Sequence, residues 1–320
     1  LKINPGLTAG VIVSGAFCGS NISPLSGTTN LAASVGEISI YKHIKSLLTT
    51  DIPAWAICLI LYTFLGLNSK NVSLGAVHQM MAGLQNGFWI SGWALLPVLL
   101  LIVLAIFQVP AIPSLGLGSL FAVVLGWIHA PKTSLTTITN TIMTGYVSHT
   151  GDKTIDTLLS KGGISSMLTS LALIIFALAL GGLLIKFNII SAIINHLTGI
   201  VKTPGRLAFS TALTCIGVNL LVGEHYLAII LPGQSFLPSF DKLGLKRVDL
   251  TRILNDAGAA VNAIVPWSVS GVFIASTLQI NPLNFIPWAF FPFFVTILTI
   301  IAGMLVKVPI KSPAANLATE

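Results

Sequence analysis

The sequence predicts an all-α polytopic membrane protein with about eight to ten membrane segments, several of them discontinuous helices. Three observations lead there. Hydrophobic residues are 54% of the 320 and charged residues only 8%, whereas a soluble domain needs about 25% charged residues to wet its surface. Apolar runs recur at the length that spans a bilayer. Three of those runs are interrupted by Ser, Pro and Asn rather than ended by charge.

A hydrocarbon core about 30 Å thick takes roughly 20 apolar helical residues. Residues 52–67 with their flanks, 93–107, 112–128, 164–185 and 284–306 meet that length. Residues 6–36 are broken by NISPLSGTTN at 21–30. Residues 207–237 are broken near VGEHY at 222–226 and again at Pro232-Gly233. Residues 253–278 are broken at NAIVPWSVSG, 262–271. Trp89, Trp93, Trp127 and Trp288 punctuate the ends of runs, as interfacial belts do. Residues 74–86 and 188–201 are more amphipathic and are expected along an interface.

Residues 37–51 read as a cytoplasmic loop, which places the larger share of Lys and Arg inside. The organisation expected is one transmembrane domain, multi-pass in the cell inner membrane. Residues 1–130 would hold the remainder of a first repeat with linking helices, 131–163 an extracytoplasmic loop, and 164–320 a second repeat. Leu1 opens almost directly onto an apolar run without a basic n-region, so earlier transmembrane segments are expected ahead of it.

The formal charge of +7 does not indicate a nucleic-acid partner, because the basic residues lie singly between apolar runs and form no patch. Cys18, Cys58 and Cys215 sit in apolar stretches with no CxxC pair, so neither a disulfide framework nor a metal knuckle is expected. Nothing calls for a cofactor. An intramembrane enzyme is also disfavoured. Glu224-His225 lacks the helical pair of histidines of a zinc protease, and no histidine pattern flanks Ser14-Gly15 or Ser270-Gly271.

The broken runs carry the chemistry. In lipid, every backbone N–H and C=O must be satisfied within the protein, so a mid-membrane break persists only against protein or a wet cavity. Transporters use such breaks to coordinate ions. Around Pro24, the side chains of Asn21, Ser23, Ser26, Thr28, Thr29 and Asn30 offer a density of oxygens suited to sodium. The alternative is a hydrophilic loop, or hydroxyls bonded to helix carbonyls. The later break has a similar design, with Asn255, Asp256, Asn262, Pro266, Ser268 and Ser270. The loose echo between the two fits paired discontinuous helices of inverted repeats in a secondary transporter.

Of the nine carboxylates, Glu224 and Asp256 are the most closely flanked by apolar helix, and most others, Asp51 included, read as loop residues. An intramembrane ionisable group is a functional candidate by default. Proton and cation would compete for such a group. A helix-end cap is the alternative for Glu224, and an i,i+4 pair with Arg252 for Asp256. His225 adjoins Glu224 and could share its proton. His43, His78, His129, His149 and His196 read as loop or interface residues, and Tyr226 as a helix-interface residue.

GAFCGSNISPLSGTTNLAASV at 15–35, GEHYLAIILPGQSFLPSFDKLGL at 223–245 and LTRILNDAGAAVNAIVPWSVSGVFIASTL at 250–278 resemble, in order and spacing, the NhaC-type sodium/proton antiporter family. The likeness covers nearly the whole chain, as the C-terminal two-thirds of a member. It implies sodium/proton antiport across the cytoplasmic membrane by alternating access, with sodium and proton as substrates and the lipid bilayer as surroundings. Ser23, Ser26, Thr28, Thr29, Asn30 and Asn262 would bind the cation, and Asp256, Glu224 and His225 would couple the proton. No metal beyond transported sodium is implied, and a homodimer stays open. The family pattern G-D-x-x-S-P-L-S-D-T-T-N has Ser20 and Gly27 here in place of its two aspartates. A sodium- or proton-coupled exchanger of organic acid anions such as malate and lactate, or an inactive relative, therefore remains as an alternative.

Overall fold

The computed structural model describes residues 4–67, 81–82, 84–85, 90–107, 109–151, 153–160, 162–187 and 203–306. The described residues are helical with no strand. In chain order the helices are α1 (Pro5–Asn21), α2 (Gly27–Val35), α3 (Ile40–Leu67), α4 (Leu96–Ile106, entered through a 3-10 turn at Gly92–Leu95), α5 (Ala111–His129), α6 (Leu135–Thr144), α7 (Lys153–Leu159) and α8 (Ile164–Lys186). There follow α9 (Pro204–Val222), α10 (His225–Lys242), α11 (Arg247–Ile253, extended by a π turn at Leu254–Ala259 and a 3-10 turn at Ala260–Ile264), α12 (Val269–Leu278), α13 (Pro282–Phe285, with a 3-10 turn at Ile286–Trp288) and α14 (Phe290–Met304). The expected interfacial stretch 188–201 and most of 74–86 lie outside the described residues.

Among the described residues three helices can, by length and composition, cross a membrane: Ile40–Leu67, Ile112–His129 and Pro204–Val222. The number is five if two bent pairs each count as one span, Arg247–Ile264 with Val269–Leu278 (44°) and Pro282–Trp288 with Phe290–Met304 (52°). The burial pattern is that of a chain in lipid. On α3, Ile52, Leu59 and Ile60 are more than half exposed, while His43, Asp51, Ala54 and Cys58 face inward. Water would reverse that arrangement.

Contacts group the chain into two units, one of Thr63–Phe176 together with Leu1–Asn4, the other of Pro5–Tyr62 and Ala177–Glu320. In the first, α4 packs on α5, and the segment around α7 is organised by Asp156. Its carboxylate accepts hydrogen bonds from the Ser148 hydroxyl (2.8 Å), the Thr150 amide and hydroxyl (both 2.7 Å) and the Gly151 amide (3.2 Å). The Thr150 donors foremost hold the Asp156 carboxyl down to about 2.

In the second unit, α9, α10 and the α11 extension pack together with α2 around Phe236, Phe240, Leu207, Ile253 and Leu254. Glycines admit the close approaches on which such helices rely. A Cβ on Gly10 would lie 2.5 Å from the Trp288 backbone, and one on Gly258 would lie 3.0 Å from the Ala228 carbonyl. That carbonyl is the one Pro232 leaves without its helical N–H donor, four residues back.

Three expectations change. Residues 37–51 are not a loop: the helix begins at Ile40 and runs unbroken through Pro53. Ser39 and Ile40 follow a chain reversal at Gly36 and Glu37, where Glu37 adopts φ 54. Pro232-Gly233 does not break its run either. α10 carries Pro232 and Pro238 inside a continuous helix, so the interruption lies only at Gly223-Glu224, where Gly223 adopts the left-handed φ of 75. Residues 284–306 bend at Ala289. There the Tyr62 hydroxyl donates to the Trp288 carbonyl (2.6 Å) and accepts from the Phe290 amide (3.2 Å), and the Phe291 amide donates to Ser14 Oγ (3.2 Å). Side chains of α1 and α3 thus satisfy the backbone that the bend frees.

Candidate functional site

The break after α1 is held by its own side chains. Thr29, wholly buried, donates its hydroxyl to the carbonyls of Ser20 (3.2 Å) and Asn21 (3.0 Å), which end α1. The Asn30 amide donates to Pro24 O (2.7 Å) and Ser26 O (2.8 Å). Ser23 Oγ accepts from the Leu25 amide (3.2 Å). These three therefore stabilise the break itself. Ser26 and Thr28 differ: their hydroxyls bond each other at 3.0 Å, and Ser26 also meets Ser20 Oγ at 3.2 Å.

Freed by that arrangement, Asn21 turns its side chain into the protein. Its Nδ2 donates to Asp256 Oδ1 (3.0 Å) and to Asp51 Oδ1 (3.3 Å), while its Oδ1 accepts from Asn255 Nδ2 (2.9 Å). Thr50 Oγ1 donates to the other Asp256 oxygen at 2.8 Å. One carboxamide thus bridges two carboxylates from opposite ends of the sequence, both almost fully buried. Asp51 Oδ2 has no hydrogen-bond partner among the described residues. Two reasons put Asp256 there. The π turn at Leu254–Ala259 widens the helix at this level, a distortion frequent at functional sites. Thr296 of α14 holds the Asp256 carbonyl at 3.0 Å.

The break after α9 forms a second cluster. Glu224 caps α10, its Oε2 accepting from the Leu227 amide at 3.0 Å. Its Oε1 is buried without a hydrogen bond among the described residues and lies 3.8 Å from His225 Nδ1. Asn262 joins this cluster, not the first. Its Nδ2 donates to Asn219 Oδ1 (2.8 Å) and Gly223 O (3.2 Å), and its Oδ1 accepts from the Ser270 amide (3.1 Å) and approaches His225 Nδ1 (3.4 Å).

A cavity of about 190 Å³ joins the two clusters. Ser20, Asn21 and Thr28 line it from the first break, His225, Ala259 and Ser270 from the second, with Phe17 beside them. Thr28, His225 and Ser270 each stand in the first turn of a helix. Gly27, where the family pattern has aspartate, faces Tyr226, whose hydroxyl would sit 3.1 Å from a Cβ there. Among the described residues no group of three or more His, Cys, Asp or Glu could hold a metal ion. The arrangement presents hydroxyl and amide oxygens in front of an acidic pair. Burying an uncompensated carboxylate costs several kcal/mol, so the pair is at home with a proton or a cation beside it.

The profile of the Na+/H+ antiporter family matches residues 15–306. The chain belongs to that family. The antiporter-family chain is 38% identical over 302 residues to the Na(+)/H(+) antiporter NhaC of Bacillus subtilis, covering 94% of this chain and 67% of that protein, which makes it an NhaC-type member. It is 34% identical over 302 residues to the Malate-2H(+)/Na(+)-lactate antiporter of the same organism, covering 93% and 64%. To the arginine/ornithine antiporter ArcD of Halobacterium salinarum it is 32% identical over 328 residues, covering 100% and 67%. The chain spans about two thirds of the length of these relatives. No solved structure matches it.

Within this antiporter-family chain, three residues of the acidic centre escaped sequence reasoning: Asp51, Thr50 and, as a bridge rather than a cation ligand, Asn21. The available signal was Thr50-Asp51 leading without a turn into Ile52-Pro53-Ala54-Trp55. His43 also differs from its expected loop or interface position. It is fully buried, with Nδ1 2.9 Å from Thr251 Oγ1. Arg252 does not pair with Asp256; it takes Asp249 at 3.2 Å.

Proposed function

We propose that this chain is the ion-translocating part of a secondary transporter that exchanges sodium for protons, resident in the cell inner membrane. The observation that carries the reading is the pair Asp51 and Asp256, bridged by Asn21 at the cavity between two broken helices. Sodium entering the cavity meets the hydroxyls of Ser20 and Thr28, both bonded to Ser26, and the neighbouring acidic pair, and a proton leaves as it binds. The two ligands compete for one negative centre, and alternating access converts that competition into exchange. His225 lines the far wall with the buried Glu224 behind it, a second place for coupling to the proton.

The relatives are named as antiporters, in keeping with a transporter rather than an enzyme. One observation favours a second reading, the exchange of an organic acid anion with sodium or protons. Ser20 and Gly27 leave the first break without acidic side chains, and His225 and three helix N-terminal turns face the same cavity.

The test uses everted vesicles from an antiporter-deficient strain, made with the complete reading frame. Sodium should collapse an imposed pH gradient with the natural sequence, and Asp256→Asn should abolish that response. Transport unchanged in Asp256→Asn would remove Asp256 from the coupling site. No sodium response from inserted protein, together with a response to malate or lactate, would favour the second reading.

A further inference from the structure

We infer that the end of the second unit where α3 and α11 begin carries a binding site for a phosphate-bearing anion, separate from the ion cavity. A pocket of about 590 Å³ opens there, within the range of roughly 300–1,000 Å³ typical of small-ligand sites. Lys42, Lys45, Ser46 and Thr49 follow one another at helical spacing along one face of α3 and line it. Lys246 and Asp249 line the opposite side.

At the buried edge stands Arg252, 6% exposed. It reaches two lining hydroxyls, Ser46 Oγ and Thr49 Oγ1, each at 3.5 Å. Its Nε is buried and has no hydrogen-bond partner among the described residues. Three lysines thus line the pocket with Arg252 behind its two hydroxyls, and its single carboxylate among the described residues, Asp249, is already engaged by Arg252. The neighbouring carboxylates do not offset the lysines, because Arg247 takes both Glu37 and Asp241. Among the described residues Lys42, Lys45 and Lys246 have no carboxylate within ion-pair distance.

Clustered ammonium groups, two hydroxyls and a guanidinium suit a tetrahedral oxyanion. Leu245, Val248 and Val306 form the rest of the wall, which suits a ligand whose phosphate continues into apolar chain. Basic pockets between membrane helices recognise lipid headgroups by the same means. The site has a route to the ion cavity. Thr49 precedes Thr50, which donates to Asp256, and Arg252 lies one turn before Asp256 on α11. An anion on the lysines neutralises positive charge beside the acidic pair, which favours sodium. That effect, unlike the binding itself, rests on the sodium reading above.

The experiment titrates the purified complete protein in detergent with short-chain phosphatidylglycerol, short-chain phosphatidylcholine and inorganic phosphate, reading the rise in Tm. Phosphatidylglycerol should raise Tm, and the double variant Lys45→Gln, Lys246→Gln should weaken its apparent binding about tenfold or more. The Lys45→Arg, Lys246→Arg variant should keep it. A rise with phosphatidylglycerol but not phosphate assigns the source to lipid, and a rise with both assigns it to the phosphate group itself. No rise with either, an equal rise with neutral phosphatidylcholine, or an undiminished rise in the Gln variant overturns the site. Because Tm is read without transport, a failure of sodium exchange and a failure of this site are told apart.

Discussion

Thr28 and Thr29 are adjacent in sequence and opposite in role. Thr28 lines the cavity and bonds Ser26, whereas Thr29 is buried and donates to the last carbonyls of α1. Replacing each by Val therefore separates binding from architecture. Thr28→Val should raise the sodium concentration needed for half-maximal exchange while leaving Tm within a few degrees. Thr29→Val leaves the buried Asn21 carbonyl and the partly buried Ser20 carbonyl short of a donor, at about 1–3 kcal/mol, and should lower Tm with sodium dependence little altered in the protein that remains folded. Sodium titration of everted vesicles and thermal unfolding in detergent measure the two effects. Residue-level reading reached the oxygen-rich break and Asp256 because Ser, Thr and Asn around a proline are conspicuous in an apolar run. It could not divide those oxygens between backbone and cavity, since adjacent helical residues point about 100° apart and only the packing of α2 settles which side is which.

At the scale of elements, the breaks around Pro24 and Pro266 were legible, whereas the unbroken course of α3 and α10 and the bend at Ala289 were not. Breaks announce themselves by composition, as at Pro24 and Pro266. The first half of α3 conceals itself, because Lys42, His43, Lys45 and Asp51 read as loop while His43 and Asp51 face protein. A helix can carry charge into a membrane domain if that charge faces inward. The α7 segment shows the other extreme, a surface element built on one half-buried carboxylate. Asp156 has its pKa depressed by the donors of Thr150, Ser148 and Gly151. Its stabilising effect is complete at neutral pH, begins to fade as pH falls past the ordinary Asp value of about 4, and is gone once pH drops below about 2. Asp156→Ala should loosen residues 148–151 at neutral pH, seen as faster amide exchange at Thr150 and Gly151. In the natural protein the same exchange, corrected for its intrinsic pH dependence, should accelerate only below about pH 4.

For the whole molecule, the two acids come from positions 205 residues apart in the numbering, one before the first unit's long excursion and one after it. No local pattern announces such a pair, so it became visible only when α3 and α11 were packed. If sodium and protons share it, each must displace the other by the same factor. The sodium concentration for half-maximal exchange should then rise as pH falls, by up to about tenfold per unit where the pair is protonated. A sodium requirement that stays flat between pH 6 and about pH 9, measured in the same vesicles, would mean that the ions bind at separate places. The π turn at Leu254–Ala259 has a bearing on length as well as on chemistry. It holds one residue more than an α turn would. Deleting a single residue there would let the segment relax into regular helix; because the turn takes up the extra residue, what lies beyond would keep its bearing and the displacement would fall within the turn that carries Asp256. Asn262, Ser268 and Ser270 would then keep their places while Asp256 lost its bearing on Asn21 and Thr50, so spacing at this point is as much a part of the inheritance as the side chains it carries.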